Sequence, residues 1–272
     1  MWSTGFVGAK LGMPYAEPLT FLVLRFGFAA LLMIVVALAT RAPWPTDWRV
    51  VGHWSVIGVL IQGVHLGPAF VSMSLGMPAG IAALMAGLQP LATAVVAGPL
   101  LGERMSGRQW IGLGAGLAGV MLVLEQKLDW IGADLHLIVL SCFSVAGITA
   151  GTIYQKKFGG ALDWRINASI QYVAATGFVA IGALAFEDFR VEWSGEFVFA
   201  LAWLIVVLSL GAVGMLYLLI RRGAVSRVAS LFYLVPPTTA VMAFFLFDET
   251  LTPMALVGLA VAVIGVALVI RD

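Results

Sequence analysis

Four polar side chains recur along one long apolar stretch of the sequence, where an α-helix would place them on a single stripe. Ser55, Gln62, His65 and Ser72 are separated by seven, three and seven residues, which keeps them on one helical face. Imidazole is the side chain that titrates nearest to neutral pH, so His65 could contact a solute or respond to protons. The structural alternative is a hydrogen bond between two helices.

Other polar and aromatic residues lie inside further apolar stretches and are candidate contacts for the same solute. Taken singly, each is explained at least as readily by helix packing; taken together, they would form a pocket of aromatic rings and neutral hydrogen-bonding groups. Such a pocket suits a small amphipathic metabolite, for example an amino acid. The predicted substrate-binding set is Trp2, Ser3, Thr4, Gln62, His65, Gln89, Thr149, Thr152, Tyr217 and Tyr233.

Prolines interrupt two of the apolar stretches. Pro90 lies in GLQPLATA, and Pro236 and Pro237 lie in YLVPPTTA. A proline inside a helix removes one backbone hydrogen bond and clashes with the carbonyl four residues before it. Backbone groups left unpaired at membrane depth need protein or water partners, so we expect these breaks to border a cavity or to act as hinges. An ordinary kink is the alternative.

Arg25 is the one charged residue in the middle of an apolar stretch. A charge at that depth is costly unless it reaches the interface or finds a partner. The guanidinium could bind a substrate carboxylate, or it could donate to carbonyl groups of a neighbouring helix. The repeat-related residue in the second half of the chain, described below, is the neutral Gln171, which favours the structural role.

The segment GAGLAG, residues 114–119, matches the G-x-G-x-x-G fingerprint of dinucleotide-binding turns. No predicted strand precedes it, and no acidic residue follows about twenty positions later in a βαβ unit. Gly112 and Gly116 also form G-x-x-x-G, which lets two membrane helices approach closely. We therefore expect the glycines to pack helices. Because motifs for metal-dependent, nucleophilic and ATP-dependent chemistry are absent too, the sequence predicts no enzyme, no metal site and no cofactor.

The elements that must position these residues are membrane-spanning helices. Of the 272 residues, 61% are hydrophobic and only 11% are charged, whereas soluble domains carry roughly 25% charged residues. The net charge of +1 argues against a nucleic-acid partner. The predicted fold class is an all-α, polytopic membrane protein with ten transmembrane helices at residues 1–12, 18–39, 50–76, 79–101, 107–124, 135–157, 165–185, 197–220, 226–247 and 252–270.

The two halves of the chain match when they are shifted by 146 residues. Pro90 then meets Pro236, and the glutamates at the ends of the fourth and ninth spans meet as well. Since each half holds five spans, the second half must enter the membrane upside down, which is a common architecture of secondary transporters. The sequence predicts one repeat over 1–125, with a truncated first helix, and a second repeat over 134–271.

The positive charges predict the orientation in the membrane. With the amino end in the cytoplasm, eleven lysines and arginines lie in inside loops, and three lie outside, namely Lys10, Lys127 and Arg190. Both termini are therefore predicted to be cytoplasmic.

Several stretches resemble EamA-type carriers of the drug/metabolite transporter superfamily. They are EPLTFLVLRF, SLGMPAGIAALMAGLQPLATAVVAG, LLGERMSGRQWIGLGAGLAGVMLVL and FLFDETLTPMALVGLAVAVIGVALVI, with Trp2-Ser3-Thr4 near the amino end. The resemblance covers the whole chain and implies spans one, three, four, six, eight and nine around a central cavity. Spans five and ten would pack at the periphery or in a dimer.

The resemblance also implies a function, namely export of amino acids or related small metabolites across the bacterial inner membrane. We expect alternating access, with a small-molecule substrate and the lipid bilayer as partners and a homodimer as an allowed arrangement. No Asp or Glu occurs inside any predicted span. That absence leaves a passive facilitator or channel for small amphipathic solutes as the alternative.

Overall fold

The structure is a computed structural model of the chain. It describes residues 3–77, 79–102, 105–123, 135–160, 162–212 and 252–270, together with positions 215, 234, 235, 238, 239, 241, 242 and 245. Within these ranges the apolar stretches are helical, and the one extended pairing described is a bridge between Ala16 and Val191. The all-helical class predicted from the sequence is confirmed.

Eleven continuous α-helices occur in the described part of the chain. They are α1 Ser3–Gly12, α2 Pro18–Ala39, α3 Trp48–Gly58, α4 His65–Ser74, α5 Ala79–Gly87, α6 Gln89–Leu101, α7 Gly107–Val123, α8 Leu135–Phe158, α9 Trp164–Phe186, α10 Gly195–Trp203 and α11 Pro253–Ile270.

Six helical stretches are long and apolar enough to cross a membrane. They are Pro18–Ala39, Trp48–Ser74, Ile81–Gly98, Leu135–Phe158, Trp164–Phe186 and Gly195–Ala212, and Pro253–Val269 is a shorter apolar helix. Large apolar side chains such as Phe186 and Leu184 are exposed on the helix surfaces, as contact with lipid requires. These features indicate a multi-pass membrane protein, and the complete ten-span inverted arrangement stays a prediction.

Two of these stretches change from α-helical to π-helical geometry in mid-span. Val59–Val64 joins α3 to α4, and Leu204–Ala212 continues α10. Pro68 in α4 has no N–H to donate to the carbonyl of Val64, which favours the wider hydrogen-bond spacing just before it. The sequence predicted both spans as uninterrupted. The stripe through Gln62 and His65 fits the α-helical period, which does not reveal a local change of helix type.

Two helix pairs make the most extensive contacts in the described part of the chain, α7 with α11 and α2 with α9. Between α7 and α11, a Cβ atom at Gly112 would lie 2.8 Å from the carbonyl oxygen of Gly265. A Cβ atom at Gly119 would likewise lie 2.7 Å from the carbonyl oxygen of Gly258. The prediction that the glycines pack helices is confirmed for Gly112 and Gly119, whereas Gly114 has no atom within 4 Å of an added Cβ.

The pair α2 and α9 is tied together at one end by carboxylates. Glu187, which ends α9, accepts hydrogen bonds from the N–H groups of Leu19 and Thr20 at 2.8 and 2.7 Å. Glu17, which precedes α2, accepts from the N–H of Arg190 at 2.9 Å. The first of these carboxylates satisfies N–H groups that the start of α2 leaves without partners inside the helix. The crossed pattern fixes the start of α2 against the loop after α9.

Candidate functional site

A cavity of about 70 Å³ lies among seven of the predicted spans. Small residues of α1, α4 and α5 form part of its wall. Its polar lining consists of Arg25, His65, Gln89 and Ser144, and its larger apolar lining consists of Leu66, Phe70, Met73, Ile148, Leu208 and Val235.

The walls of this cavity match the set of spans that the resemblance implies, with one addition. Spans one, three, four, six, eight and nine each contribute lining residues, for example Ala9, His65, Gln89, Ser144, Leu208 and Val235 in that order. The second span is the addition, because it contributes Arg25. Among the described lining residues, none comes from α7 or α11, the helices expected at the periphery.

His65 begins α4 directly after the π-helical segment and is 8% exposed. Its Nδ1 atom lies 3.1 Å from the carbonyl oxygen of Ser144 and 2.7 Å from the Oγ atom of the same residue. Because a carbonyl oxygen can only accept, the network assigns the proton of the neutral ring to Nδ1. The other ring nitrogen, Nε2, is therefore an acceptor.

The fourth predicted span is broken next to Gln89. Helix α5 ends at Gly87 and α6 begins at Gln89, so that Pro90 stands in the first turn of α6. A proline in that position costs no helical hydrogen bond, because the first N–H groups of a helix have no partner within it. The break brings Gln89 to the cavity wall, and the hinge role of Pro90 stays a prediction.

The amide of Gln89 has a fixed orientation. Thr152 donates its hydroxyl to the carbonyl oxygen of Ile148 at 2.7 Å, which leaves the hydroxyl oxygen as an acceptor. Gln89 Nε2 donates to this oxygen at 3.4 Å. The other end of the amide, Oε1, is buried and has no hydrogen-bond partner in the described part of the chain.

Arg25 is 4% exposed, and its Nε atom is buried without a hydrogen-bond partner among the described residues. Its guanidinium carbon lies 5.6 Å from the ring centroid of Phe26. A cation–π contact of this kind contributes about 0.5–2 kcal/mol, whereas an arginine at the centre of a membrane helix costs about 2.5–3.5 kcal/mol or more. The ring does not fully offset the charge. The bonds to neighbouring carbonyls that the sequence favoured for Arg25 are absent from the described contacts.

Three predicted contacts lie near the cavity without lining it. The Oγ atom of Ser3 lies 2.5 Å from Oγ1 of Thr238. Thr4 accepts a hydrogen bond from the indole of Trp203 at 3.1 Å. Gln62 is buried in the π-helical segment but is not part of the cavity lining. The segment adds a residue to the turn, so the predicted stripe does not continue unbroken through the span.

The remaining predicted residues divide between a second cleft and the undescribed part of the chain. Thr149 lines a more open cleft of about 670 Å³ between α6 and α8, and its hydroxyl is buried without a partner among the described residues. Within the described ranges, no group of three or more His, Cys, Asp or Glu could hold a metal ion. Five predicted residues lie outside the described part, namely Trp2, Tyr217, Tyr233, Pro236 and Pro237.

Sequence analysis missed Ser144 and the place of Arg25 in the cavity wall. A usable signal for Ser144 was its spacing, because Ser144, Ile148 and Thr152 are four residues apart and share one face of α8. That face contacts both His65 and Gln89.

Comparison with known proteins gives concordant results. The model of the EamA-like transporter family matches residues 1–125 and 135–271. The chain is 27% identical to "Uncharacterized transporter YvbV" of Bacillus subtilis (strain 168), over 99% of this chain and 88% of that protein. It is 24% identical to "Probable amino-acid metabolite efflux pump" of Escherichia coli (strain K12), over 97% and 89% of the two chains. One solved crystal structure shares the fold with a TM-score of 0.73 at 19% identity, over 97% of this chain and 95% of the other.

Proposed function

The chain belongs to the EamA-like transporter family, and on that basis we propose that it is a secondary transporter that exports amino acids or related small metabolites. The relative from Escherichia coli that is named as a probable amino-acid metabolite efflux pump supports this substrate class. The predicted spans and the positive-inside distribution support a place in the bacterial inner membrane, with both termini in the cytoplasm.

The observation that carries the proposal is the polar cavity enclosed by apolar spans. Arg25, His65, Gln89 and Ser144 are brought from four different spans to one small space. Polar and charged groups at membrane depth are expensive to keep, and they commonly mark the path of a substrate or an ion. A cavity that was only a packing defect would need no polar or charged side chain in its wall.

Alternating access would follow from two inverted repeats that rock against each other around this cavity. The π-helical segments support the duplication, because a shift of 146 residues places 59–64 on 205–210, inside Leu204–Ala212. Both extensive helix pairs, α2 with α9 and α7 with α11, also join the first half of the chain to the second. The break beside Pro90 offers a hinge within one wall.

The test is transport by the purified protein in proteoliposomes loaded with a panel of labelled amino acids. We expect flux well above that of empty vesicles, and we expect His65→Ala to reduce it about tenfold or more, since a lost hydrogen bond in a buried site costs about 1–3 kcal/mol. Gln171→Ala is the matched control, because Gln171 is equally buried but outside the cavity lining and the predicted site. Absence of flux for every solute tested would contradict the proposal.

A passive facilitator is the second candidate, and the absence of Asp and Glu from every predicted span favours it. The same vesicles distinguish the two. A transporter coupled to an ion responds to an imposed proton or sodium gradient, whereas a facilitator only equalises the solute across the membrane and is indifferent to both gradients.

A further inference from the structure

We propose that Arg25 is the anion-binding residue of the central cavity, and that the transported solute carries a carboxylate next to a hydrogen-bond donor. This inference rests on the proposed transport function and deepens it, because it assigns the charge of the substrate to one side chain. The solute is an α-amino or α-hydroxy acid with an aliphatic side chain.

The first argument is charge balance. Arg25 forms no ion pair in the described part of the chain, where the ion pairs described, Arg165 with Asp163 and Arg190 with Asp188, lie at helix ends. No Asp or Glu occurs within any predicted span, so a neighbouring span offers no counter-charge either. A solute that carries an anionic group would supply the counter-charge that the described residues do not give Arg25. A carboxylate matches the paired donors of a guanidinium in both geometry and charge.

The second argument is an unused acceptor among the residues that line the cavity. Nε2 of Gln89 is engaged by Thr152, and Oε1 is buried without a donor in the described part of the chain. His65 Nε2 is a second acceptor, because Nδ1 carries the proton. A carboxylate alone would satisfy Arg25 and would offer no donor to either acceptor. An amino or hydroxyl group on the adjoining carbon supplies the missing donor.

The third argument is the character of the remaining wall of the cavity. Leu66, Phe70, Met73 and Leu208 line the rest of the cavity and provide an apolar surface. An aliphatic side chain fits that surface, whereas a second charged group would find no partner there.

The test compares four probes on the purified full-length protein by thermal unfolding. Leucine and 2-hydroxy-4-methylpentanoate carry both the carboxylate and the donor, leucinamide lacks the carboxylate, and 4-methylpentanoate lacks the donor. We expect at least one of the first two to raise the Tm, by about 5 °C at a concentration of about 100 Kd. Leucinamide should produce no rise, and 4-methylpentanoate a smaller one. Whichever of leucine and 2-hydroxy-4-methylpentanoate raises the Tm more identifies the donor as an amino or a hydroxyl group.

Variants at Arg25 connect the effect to this residue. Arg25→Gln should weaken binding of the active probe about 10- to 100-fold, which is the loss expected for bonds to a charged group. Arg25→Lys keeps the charge but not the paired donors and should bind with intermediate affinity. Arg49→Gln is the matched control, since Arg49 is exposed at the start of α3 and outside the cavity. It should bind as the native protein does.

The Tm of Arg25→Gln without any probe shows whether Arg25 serves binding or supports the fold. Removal of a buried unpaired charge should leave the Tm of Arg25→Gln equal to or above that of the native protein, whereas loss of a structural contact would lower it. An equal Tm rise with leucinamide, or no rise with either donor-bearing acid, overturns the inference on the native protein alone, even if the variant does not fold. Transport of neutral or cationic solutes instead would overturn it and leave the transport function standing.

Discussion

The two extensive helix pairs in the described chain, α7 with α11 and α2 with α9, are held together by different means. From residue 110 onward α7 is apolar, α11 is apolar throughout, and the pair meets along glycine backbone. The pair α2 and α9 buries Thr20, Arg25, Asn167, Ser169 and Gln171, and a Cβ atom added at its glycines would have no partner backbone within 4 Å. The first pair depends on shape alone, and the second keeps polar groups at membrane depth.

The difference teaches where to look for function in a chain of this composition. Backbone-to-backbone packing satisfies a membrane helix pair without any polar group. In the second pair, Thr20 does serve helix association by donating its hydroxyl to Glu187 at 2.8 Å, whereas the Nε atom of Arg25 has no partner among the described residues. Arg25 borders the cavity, and the following residue Phe26 stacks on Tyr172 of α9 with ring centroids 6.0 Å apart.

The largest expected effect comes from a substitution that separates α7 from α11. Gly119→Leu should destabilise the protein by about 3 kcal/mol or prevent folding, because a side chain there overlaps the backbone of Ala262. Gly114→Leu, on the same helix with no atom within 4 Å of its added Cβ, should fold normally. The yield of monodisperse protein and its Tm check the prediction, and equal behaviour of the two variants would contradict it.

The next largest effect concerns the α2–α9 pair, at the end where Glu187 caps the start of α2. Glu187→Ala should lower the free energy of unfolding by about 1–2 kcal/mol, because two N–H groups at the start of α2 lose their acceptor. Asp188→Asn changes the neighbouring carboxylate, whose ion pair with Arg190 is exposed, and should have almost no effect. Thermal unfolding of both variants measures the difference. A similar loss in both would assign the effect to net charge at this end.

A smaller effect tests the orientation of the Gln89 amide. Thr152→Val removes the acceptor for Gln89 Nε2 and should weaken substrate binding by about 1 kcal/mol, or about fivefold, with the fold retained. Thr176→Val is the control, since the Thr176 hydroxyl also bonds a carbonyl four residues back but lies outside the cavity lining. Titration of the Tm with the active probe gives both affinities. Equal affinities would show that Gln89 needs no such support.

The smallest effect depends on pH and lies at the start of α9. The hydrogen bonds and charge of Arg165 lower the pKa of Asp163 from its ordinary value. The pair therefore stabilises the folded protein above the ordinary pKa of an aspartate, and this contribution is lost as the pH falls through the lowered pKa. Asp163→Asn keeps the helix cap and should cost about 0.5 kcal/mol at pH 7. The cost should shrink as the pH falls below the ordinary pKa of an aspartate and through the lowered one, and a constant difference across a Tm series would contradict this.

Much of the helical arrangement was predictable from the sequence. Charge clusters placed the ends of α2, α7, α8, α9 and α11 within about two residues, because hydrocarbon excludes charge sharply. The glycine pattern predicted the packing surface of α7, which lies against α11. The π-helical segments escaped prediction, since the spacing of the polar residues along the third span fits a continuous α-helix. The break at Leu88 was visible beforehand because Pro90 imposes it.

The site was predictable only in part. His65 and Gln89 were found because polar residues stand out in apolar spans, and both line the cavity. Their neighbour Gln62 was predicted with them, but the π-helical segment alters the register between it and His65. Arg25 was recognised as costly and favoured as structural. Its missing partner is a property of three-dimensional packing, which the linear sequence does not contain.

The crossed pairing of the halves has a consequence for assembly. Each of the two extensive pairs takes one helix from residues 1–123 and one from 135–270, so neither portion can complete its contacts alone. Expressed as separate polypeptides in one cell, the two portions should therefore reassociate into an active complex. Either portion expressed by itself would present bare glycine backbone and unmatched polar side chains to lipid, and cellular proteases would remove it.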